Sequence, residues 1–295
     1  MSFRIIKDKF LGVIVKGVAR LTSLLLLFIL IGLLYKSWPI MRSHSLSELL
    51  FSSVWKPMKG QFGFLPYIIS TLYVTILALI IAVPLCVLCA IYLSEYADKS
   101  LKRMILPVID ILAGIPSVIF GIWGIIMIVP WIRETVAPAF GYESSGYCIL
   151  AGGIVLAVSV FPLIIHLLLE VFGTIPKELR EASLSLGANK WETIKLVVLK
   201  KARPGIIAAV VLGFSRALGE TLAVLMVVGN VAQKPENVFS AGYPIPALIA
   251  NNYGEMMSIP MYDSALMFAA LLLFVIILLF NIASRTILMR IEKNL

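Results

Sequence analysis

Two ionisable residues, Arg216 and Glu220, lie within an apolar run of about residues 205–231. A charged side chain inside a membrane span is costly unless it is paired or solvated, so such residues often mark functional sites. Their four-residue spacing places them on one helix face, and we therefore predict an ion pair between them. The guanidinium of Arg216 suits an oxyanion, because its planar fork can donate two parallel charge-assisted hydrogen bonds. Thr221 follows the pair directly.

Two interpretations of this pair stay open from the residues alone. In the first, the pair is structural and locks the packing of the helix. A stripe of small residues on an adjacent face (Ala209, Gly213 and Ala217) would allow a neighbouring helix to pack closely. In the second, Arg216 helps an anion across the membrane. Glu220 would then hold the guanidinium in place or compete with the anion for it.

Residue patterns typical of enzymes are missing from the sequence. No metal-ligand spacing is formed by its two histidines and three cysteines, which are His44, His166, Cys86, Cys89 and Cys148. An intramembrane histidine of this kind is more often packed or hydrogen-bonded than a ligand, and cysteines in apolar helices are mostly small buried side chains. The sequence has no G-x-x-x-x-G-K-[ST], H-E-x-x-H or G-x-S-x-G motif. We predict that the chain is not an enzyme, carries no cofactor, and depends on another chain for any energy it uses.

The composition indicates a membrane protein. Of 295 residues, 60% are hydrophobic and 14% are charged, and the mean hydropathy is +1.00. A water-soluble fold cannot hide this much apolar surface, whereas a lipid bilayer accepts it. The net charge of +9 does not indicate nucleic-acid binding, because the basic residues cluster at the ends of apolar runs.

Six apolar runs, each long enough to cross a bilayer, organise the chain and predict an all-α polytopic membrane protein with six transmembrane helices. The runs cover about residues 18–38, 66–92, 104–131, 147–172, 205–231 and 263–288. Prolines and glycines in the third run predict an irregular helix there. Asp110 lies early in the third run and Glu170 near the end of the fourth. For both, a helix-end residue that reaches the interface is at least as good an interpretation as a functional site.

The segments between the runs complete the predicted organisation. It comprises a cytoplasmic tail (1–17), a first helix (18–38), an outer loop (39–64) with a short helix near 47–51, a core of five helices (65–288) and a cytoplasmic tail (289–295). Counted together with the adjoining helix ends, the predicted inner segments hold 18 Lys and Arg residues and the outer loops hold 6. This asymmetry follows the positive-inside rule and supports a topology with both termini in the cytoplasm.

A polar, basic segment of about residues 173–204 interrupts the apolar pattern and is longer than most connections between neighbouring helices. We interpret it as a cytoplasmic docking surface. Its residues Glu181, Ala182, Ser183 and Gly187, with Leu199 further on, resemble the EAA loop of permeases from binding-protein-dependent ABC importers. The resemblance implies a type I ABC permease fold in which this loop is a helical elbow that couples to an ATPase subunit. Ser183 departs from the pattern, in which Ala is usual.

Three further stretches resemble the phosphate-specific permeases among these proteins. They are Ile91–Tyr96, Ala113–Val118 and Arg216–Thr221, and the likeness covers about residues 62–288. These importers pair two related permeases, PstC and PstA, and Leu222-Ala223-Val224 together with the long first outer loop is more similar to PstC.

The resemblance implies a set of partners and a location. The partners are a second permease (PstA-like), two ATPase subunits (PstB-like) that bind ATP and Mg²⁺, an extracytoplasmic phosphate-binding protein (PstS-like), phosphate itself and the lipid bilayer, with no nucleic acid. The location is the bacterial or archaeal cytoplasmic (inner) membrane. In this scheme Arg216, Glu220 and Thr221 lie on the translocation path. An ABC permease for sulfate, molybdate or phosphonate, or an ion-coupled anion carrier, remains an alternative.

Overall fold

The computed structural model describes the backbone of residues 2–255 and 259–293. It describes the side chains of residues 11–22, 24–255, 259–286 and 289. Its described part is mostly helical, as predicted. Five helical stretches are long and apolar enough to cross a membrane, namely Leu11–Ser43, Leu65–Tyr96, Ser117–Ala139, Ile149–Gly173 and Tyr262–Thr286. Six spans were predicted, and this count is not confirmed in the described residues. The difference arises in the fifth run, which has no such stretch, whereas the stretch for the third run, Ser117–Ala139, begins later than predicted.

The N-terminal part is more regular than predicted. Helix α1 (Ser2–Ser43) includes most of the predicted tail and passes through Pro39. The predicted outer loop contains a short helix, α2 (Leu46–Phe51), as expected, and an antiparallel pair of strands, β1 (Trp55–Lys56) and β2 (Gln61–Phe62). Trp55 packs edge-to-face on Phe62, and the hairpin thereby joins an aromatic cluster at one end of the molecule.

A pair of long helices forms the centre of the molecule. They are α3 (Leu65–Ile91) and α8 (Ile149–Gly173), which make the most extensive helix–helix contact in the fold. Gly153 permits this approach, because a Cβ atom there would lie 2.7 Å from Leu77 Cδ2. Helix α11 (Leu199–Gly219) packs on α8, α3 and α14, whereas α1 packs mainly along α14 (Tyr262–Lys293).

The third run is divided at a proline. Helix α4 (Lys99–Gly114) ends before Ile115, whose ψ of 127° is extended, and α5 (Ser117–Trp123) begins after Pro116. A residue that precedes proline is disfavoured in the helical region, and proline has no N–H to donate, so the break is expected chemically. The chain then continues as two π-helical turns (Gly124–Ile128 and Ile132–Val136) that alternate with short helices α6 (Val129–Trp131) and α7 (Ala137–Ala139).

The fifth run is discontinuous as well. Helix α11 ends at Gly219, a four-residue helix α12 (Leu222–Leu225) follows, and irregular backbone leads to α13 (Ile245–Asn252). Helix α3 satisfies part of this backbone: Tyr243 N donates to Ser70 Oγ (3.0 Å) and Ile245 N to Thr71 Oγ1 (2.9 Å). Irregular backbone within a membrane protein requires such internal partners.

The connections gather at two ends of the helical body. At one end, the segment before α8 meets the segment before α13, where Leu150 N donates to Val238 O (2.8 Å). At the opposite end, a π-helical turn after α3 (Tyr92–Tyr96) meets two short helices, α9 (Lys177–Ser185) and α10 (Lys190–Thr193). A fourth π-helical turn (Ile194–Val198) joins α10 to α11. The basic segment found in the sequence is therefore a distinct feature at one end of the molecule.

Candidate functional site

The segment around Glu181–Gly187 forms a helix–turn–helix, hereafter the elbow, made of α9, the turn 186–189 and α10. Gly187 has a φ of +88°, and a Cβ atom at this position would meet nothing within 4 Å. The glycine is therefore needed for its left-handed backbone and not for space. The carbonyls at the end of α9 are satisfied locally, since Gly187 N donates to Leu184 O (3.0 Å) and Ala188 N to Ser183 O (3.3 Å).

The second half of the elbow begins with a reciprocal capping box. Glu192 N donates to Asn189 Oδ1 (2.9 Å), and Asn189 N donates to Glu192 Oε2 (2.8 Å). A hydroxyl pair joins the two helices, because Ser183 Oγ lies 3.0 Å from Oγ1 of the buried Thr193. Ser183, which departs from the pattern by carrying a hydroxyl, is thus a cross-link within the elbow. In the sequence, the signal for this role is a pair of hydroxyl residues ten positions apart.

The elbow presents apolar side chains to the outside. Leu186 is 90% exposed, and Leu184 and Trp191 are about half exposed. Glu181 and Ala182 are exposed as well. Apolar side chains that stay uncovered in an otherwise polar segment, on a rigid backbone, are typical of a surface that docks another protein. Leu199 does not share this surface: it is half-buried and packs against the core formed by α3, α8 and α11.

An ion pair that the sequence did not reveal fixes the elbow to the helical body. Arg180, next to Glu181, donates from Nη2 to Glu95 Oε1 (2.7 Å) and from Nε to Glu95 Oε2 (3.1 Å). Its Nη1 donates to the carbonyl of Ile175 (2.7 Å). A second contact between the same elements is a cation–π interaction, in which Lys190 Nζ lies 4.5 Å from the ring centroid of Tyr96.

The predicted ion pair between Arg216 and Glu220 is wrong. Helix α11 ends at Gly219, and Glu220 has a ψ of 125°, so the two side chains no longer share a helix face. Within the described residues the Arg216 side chain is exposed and forms no hydrogen bond or ion pair. Glu220 is half-buried and borders a small gap together with Thr71 and Thr75.

This local geometry separates the two interpretations of the charged residues. A lock between Arg216 and Glu220 is excluded, because the pair does not form. Arg216 lies in the last turn of α11, where a cation interacts favourably with the helix dipole. Thr221 Oγ1 donates to the carbonyl of Gly219 (3.3 Å) and so satisfies the broken helix end. The small-residue stripe is a packing surface, as predicted: Ala209, Gly213 and Ala217 are all buried.

Two other groups that could carry chemistry have structural partners. Nε2 of His166 lies 3.0 Å from Oδ1 of Asp110, which joins α8 to α4. The histidine therefore has a carboxylate partner within the chain, and this pairing of Asp110 was not predicted from the sequence. The three cysteines are free thiols, and Cys86 and Cys148 are buried. Burial raises the pKa of the Cys148 thiol. The residues that the structure describes contain no cluster of three His, Cys, Asp or Glu side chains that could hold a metal ion.

Comparisons with known proteins give consistent relatives. A family model described as the binding-protein-dependent transport system inner membrane component matches residues 82–293. A probable phosphate transport system permease protein PstC of Methanocaldococcus jannaschii is 36% identical over 285 residues, which cover 90% of each chain. The phosphate transport system permease protein PstC of Pasteurella multocida is also 36% identical, over 92% of this chain and 88% of that protein.

Solved structures show the same fold. An inward-facing structure of the MetNI methionine ABC transporter superposes with a TM-score of 0.55 at 21% identity, over 82% of this chain and 96% of that chain. A second crystal form of the same transporter gives a TM-score of 0.53 at 20% identity. At this level of identity the likeness concerns the fold alone.

Proposed function

The chain belongs to the family of binding-protein-dependent transport system inner membrane components, and we propose that it is the permease subunit of an ATP-driven phosphate importer. Its fold is that of a type I ABC importer permease, and it is a transport subunit and not an enzyme. The substrate is proposed from relatives named as phosphate permeases, which align over nine-tenths of the chain. The elbow, Arg216 and the charge distribution support different parts of this proposal.

The observation that carries the proposed coupling is the rigid elbow with its uncovered apolar face. Its exposed residues are Glu181, Ala182, Leu184, Leu186 and Trp191. A surface of this kind fits a cleft on a cytoplasmic ATPase subunit, which would supply both ATP and Mg²⁺ binding. Internal capping and the hydroxyl pair make the elbow stiff enough to pass on a displacement instead of absorbing it.

The proposed translocation path uses Arg216. Its guanidinium has no partner in the described part of the chain, although it lies in the last turn of a helix that ends within the fifth apolar run. A cation in such a place must meet water, an anion or another protein chain. We assign Arg216 to a surface shared with a second permease, where it contacts phosphate in transit. A single arginine there gives a weak site, which suits a transport path because tight binding would slow release.

The proposed topology places the elbow and both termini in the cytoplasm of a bacterial or archaeal cell. The Tyr92–Asp98 connection and the elbow share one end of the molecule, which is also the end predicted to be rich in Lys and Arg. The opposite end, with the hairpin and the aromatic cluster, then faces an extracytoplasmic phosphate-binding protein.

Uptake of radiolabelled phosphate at scarce external phosphate tests the substrate. Cells with and without the gene are compared, and labelled sulfate and molybdate are measured in parallel. We expect phosphate uptake alone to fall when the gene is removed. A fall in sulfate or molybdate uptake with unchanged phosphate uptake would reassign the substrate and leave the ABC permease family intact.

A further inference from the structure

The contact between Arg180 and Glu95 joins three separate parts of the chain. Glu95 lies in the π-helical turn after α3, and Arg180 lies in α9 of the elbow. Besides its bonds to Glu95, the guanidinium donates from Nη1 to Ile175 O and from Nη2 to Phe172 O (3.1 Å), at the end of α8. One side chain thus holds together the inner ends of the two central helices and the elbow.

This contact is much more enclosed than an ordinary surface ion pair. The side chain of Glu95 is 9% exposed and that of Arg180 is 20% exposed. Solvent therefore screens the pair weakly, and the forked geometry fixes the direction of the contact as well as its distance. Ser94 Oγ donates to Glu95 Oε1 (3.1 Å), and Lys102 Nζ donates to the carbonyl of Ser94 (3.1 Å). Glu95 is thus also held in place by Ser94, its neighbour in the chain.

The connectivity of the chain explains why such a contact matters. The elbow is covalently joined to α8 through residues 174–176 and to α11 through the turn Ile194–Val198. No connecting segment joins helix α3 directly to the elbow, because α4 to α8 lie between them in the chain. Within the described residues, two charge-bearing contacts bridge this gap, namely Arg180 with Glu95 and Lys190 with Tyr96. The second contact lies between exposed side chains and is correspondingly weak.

We infer that Glu95 and Arg180 are positioning residues that transmit displacement of the elbow to α3. This inference rests on the proposed function, because it assumes that an ATPase subunit moves the elbow. When the elbow is displaced, the pair pulls the end of α3 along with the end of α8, so the central helices move as one body. Without the pair, the elbow acts on α3 only through the packing of α3 on α8, so the Tyr92–Tyr96 turn follows the elbow less closely and less of the ATP hydrolysis is converted into opening of the path.

Three variants of the complete importer, reconstituted in liposomes with its binding protein, test this inference. Glu95→Gln removes the charge at nearly constant shape, Glu95→Asp keeps the charge on a shorter arm, and Glu134→Gln is the matched control that breaks an exposed ion pair, with Arg133, away from the elbow. The measured quantity is phosphate taken up per ATP hydrolysed. For Glu95→Gln we expect it to fall about tenfold, within the usual range of coupling between sites, while assembly of the complex is preserved. Glu95→Asp should lie in between, and Glu134→Gln should match the wild type.

The possible outcomes separate coupling from simple stabilisation. An assembled Glu95→Gln complex with the wild-type uptake ratio overturns the inference. If Glu95→Gln does not assemble, Glu95→Asp decides: a lowered ratio in an assembled complex supports the inference, whereas an unchanged ratio or a second failure to assemble overturns it. Failure of the wild-type importer to take up phosphate would instead overturn the proposed substrate. The same ratio is then measured with the anion that the wild type does transport.

Discussion

At the scale of single residues, Gly187 shows how one backbone angle can control coupling. Its φ of +88° is disfavoured for residues with a Cβ atom, although the space around it is open. We expect Gly187→Val to strain the elbow by about 1–2 kcal/mol and to weaken binding of the ATPase subunit. Gly187→Asn is the matched control, because Asn adopts left-handed angles more readily. Co-purification of the ATPase subunit, together with phosphate uptake, measures the effect. Equal behaviour of the two variants would contradict a role for this backbone angle.

Arg216 allows a sharper prediction than its sequence context did. Because its guanidinium has no internal partner among the described residues, Arg216→Gln should leave assembly and thermal stability unchanged. Uptake should fall about tenfold or more, which corresponds to losing about 1.5–3 kcal/mol of charge-assisted hydrogen bonding. Arg216→Lys, which keeps the charge but not the fork, should retain part of the activity.

Arg133→Gln is the control for Arg216, since Arg133 is an exposed arginine that pairs with its neighbour Glu134. This control should transport normally. A normal rate for Arg216→Gln, or loss of its assembly, would remove Arg216 from the path.

At the residue scale, the sequence correctly predicted a helical elbow, whose coupling role stays a prediction, and wrongly predicted the charged pair. Glu181, Ala182 and Gly187 could be recognised because their pattern is local and continuous in the chain. The pairing of Arg216 with Glu220 failed because helical spacing was assumed to continue past Gly219, where the helix ends. Glu95 and Arg180 are 85 residues apart, and nothing in a single sequence indicates that such distant residues meet.

At the scale of elements, close packing of α11 on α8 depends on Gly213. A Cβ atom at this position would lie 2.7 Å from Ile164 Cδ1, and Ile164 is fully buried. We expect Gly213→Leu to force the two helices apart, at a cost of about 1–3 kcal/mol. Its melting temperature in detergent should therefore be lower than that of the wild type.

The matched control for Gly213→Leu is Gly32→Leu, because Gly32 lies on the exposed surface of α1 with nothing within 4 Å. Its melting temperature should equal that of the wild type. Equal melting temperatures for the two leucine variants would contradict the importance of the close approach.

The element-scale predictions were limited by the two broken runs. Hydropathy correctly located apolar segments, and Pro116 correctly indicated irregularity in the third run. A hydropathy profile does not show where a helix ends inside an apolar run. Helix α11 ends at Gly219, and after Glu220 and Thr221 the chain is apolar again at Leu222–Leu225. The irregular backbone before α13 is satisfied in part by Ser70 and Thr71, and these contacts join residues more than 170 positions apart.

At the scale of the whole molecule, the topology can be tested with two engineered cysteines. Ser100→Cys lies near the elbow end and Glu143→Cys near the opposite end, and both positions are exposed. A membrane-impermeant maleimide should label Glu143→Cys in intact cells and Ser100→Cys only after permeabilisation. The native Cys148 should stay unlabelled in both cases, because its thiol is buried and its raised pKa keeps it protonated. Labelling in the reverse order would invert the proposed orientation.

The elbow also has a consequence for the fate of newly made protein. Leu184, Leu186 and Trp191 form an apolar surface that the described part of this chain leaves uncovered. A copy synthesised in excess of its ATPase partner would display that surface in the cytoplasm, where chaperones and proteases select proteins by exposed apolar groups. We expect the cellular amount of this subunit to follow the supply of its partner. The docking surface would then also set subunit stoichiometry, through degradation of unassembled copies.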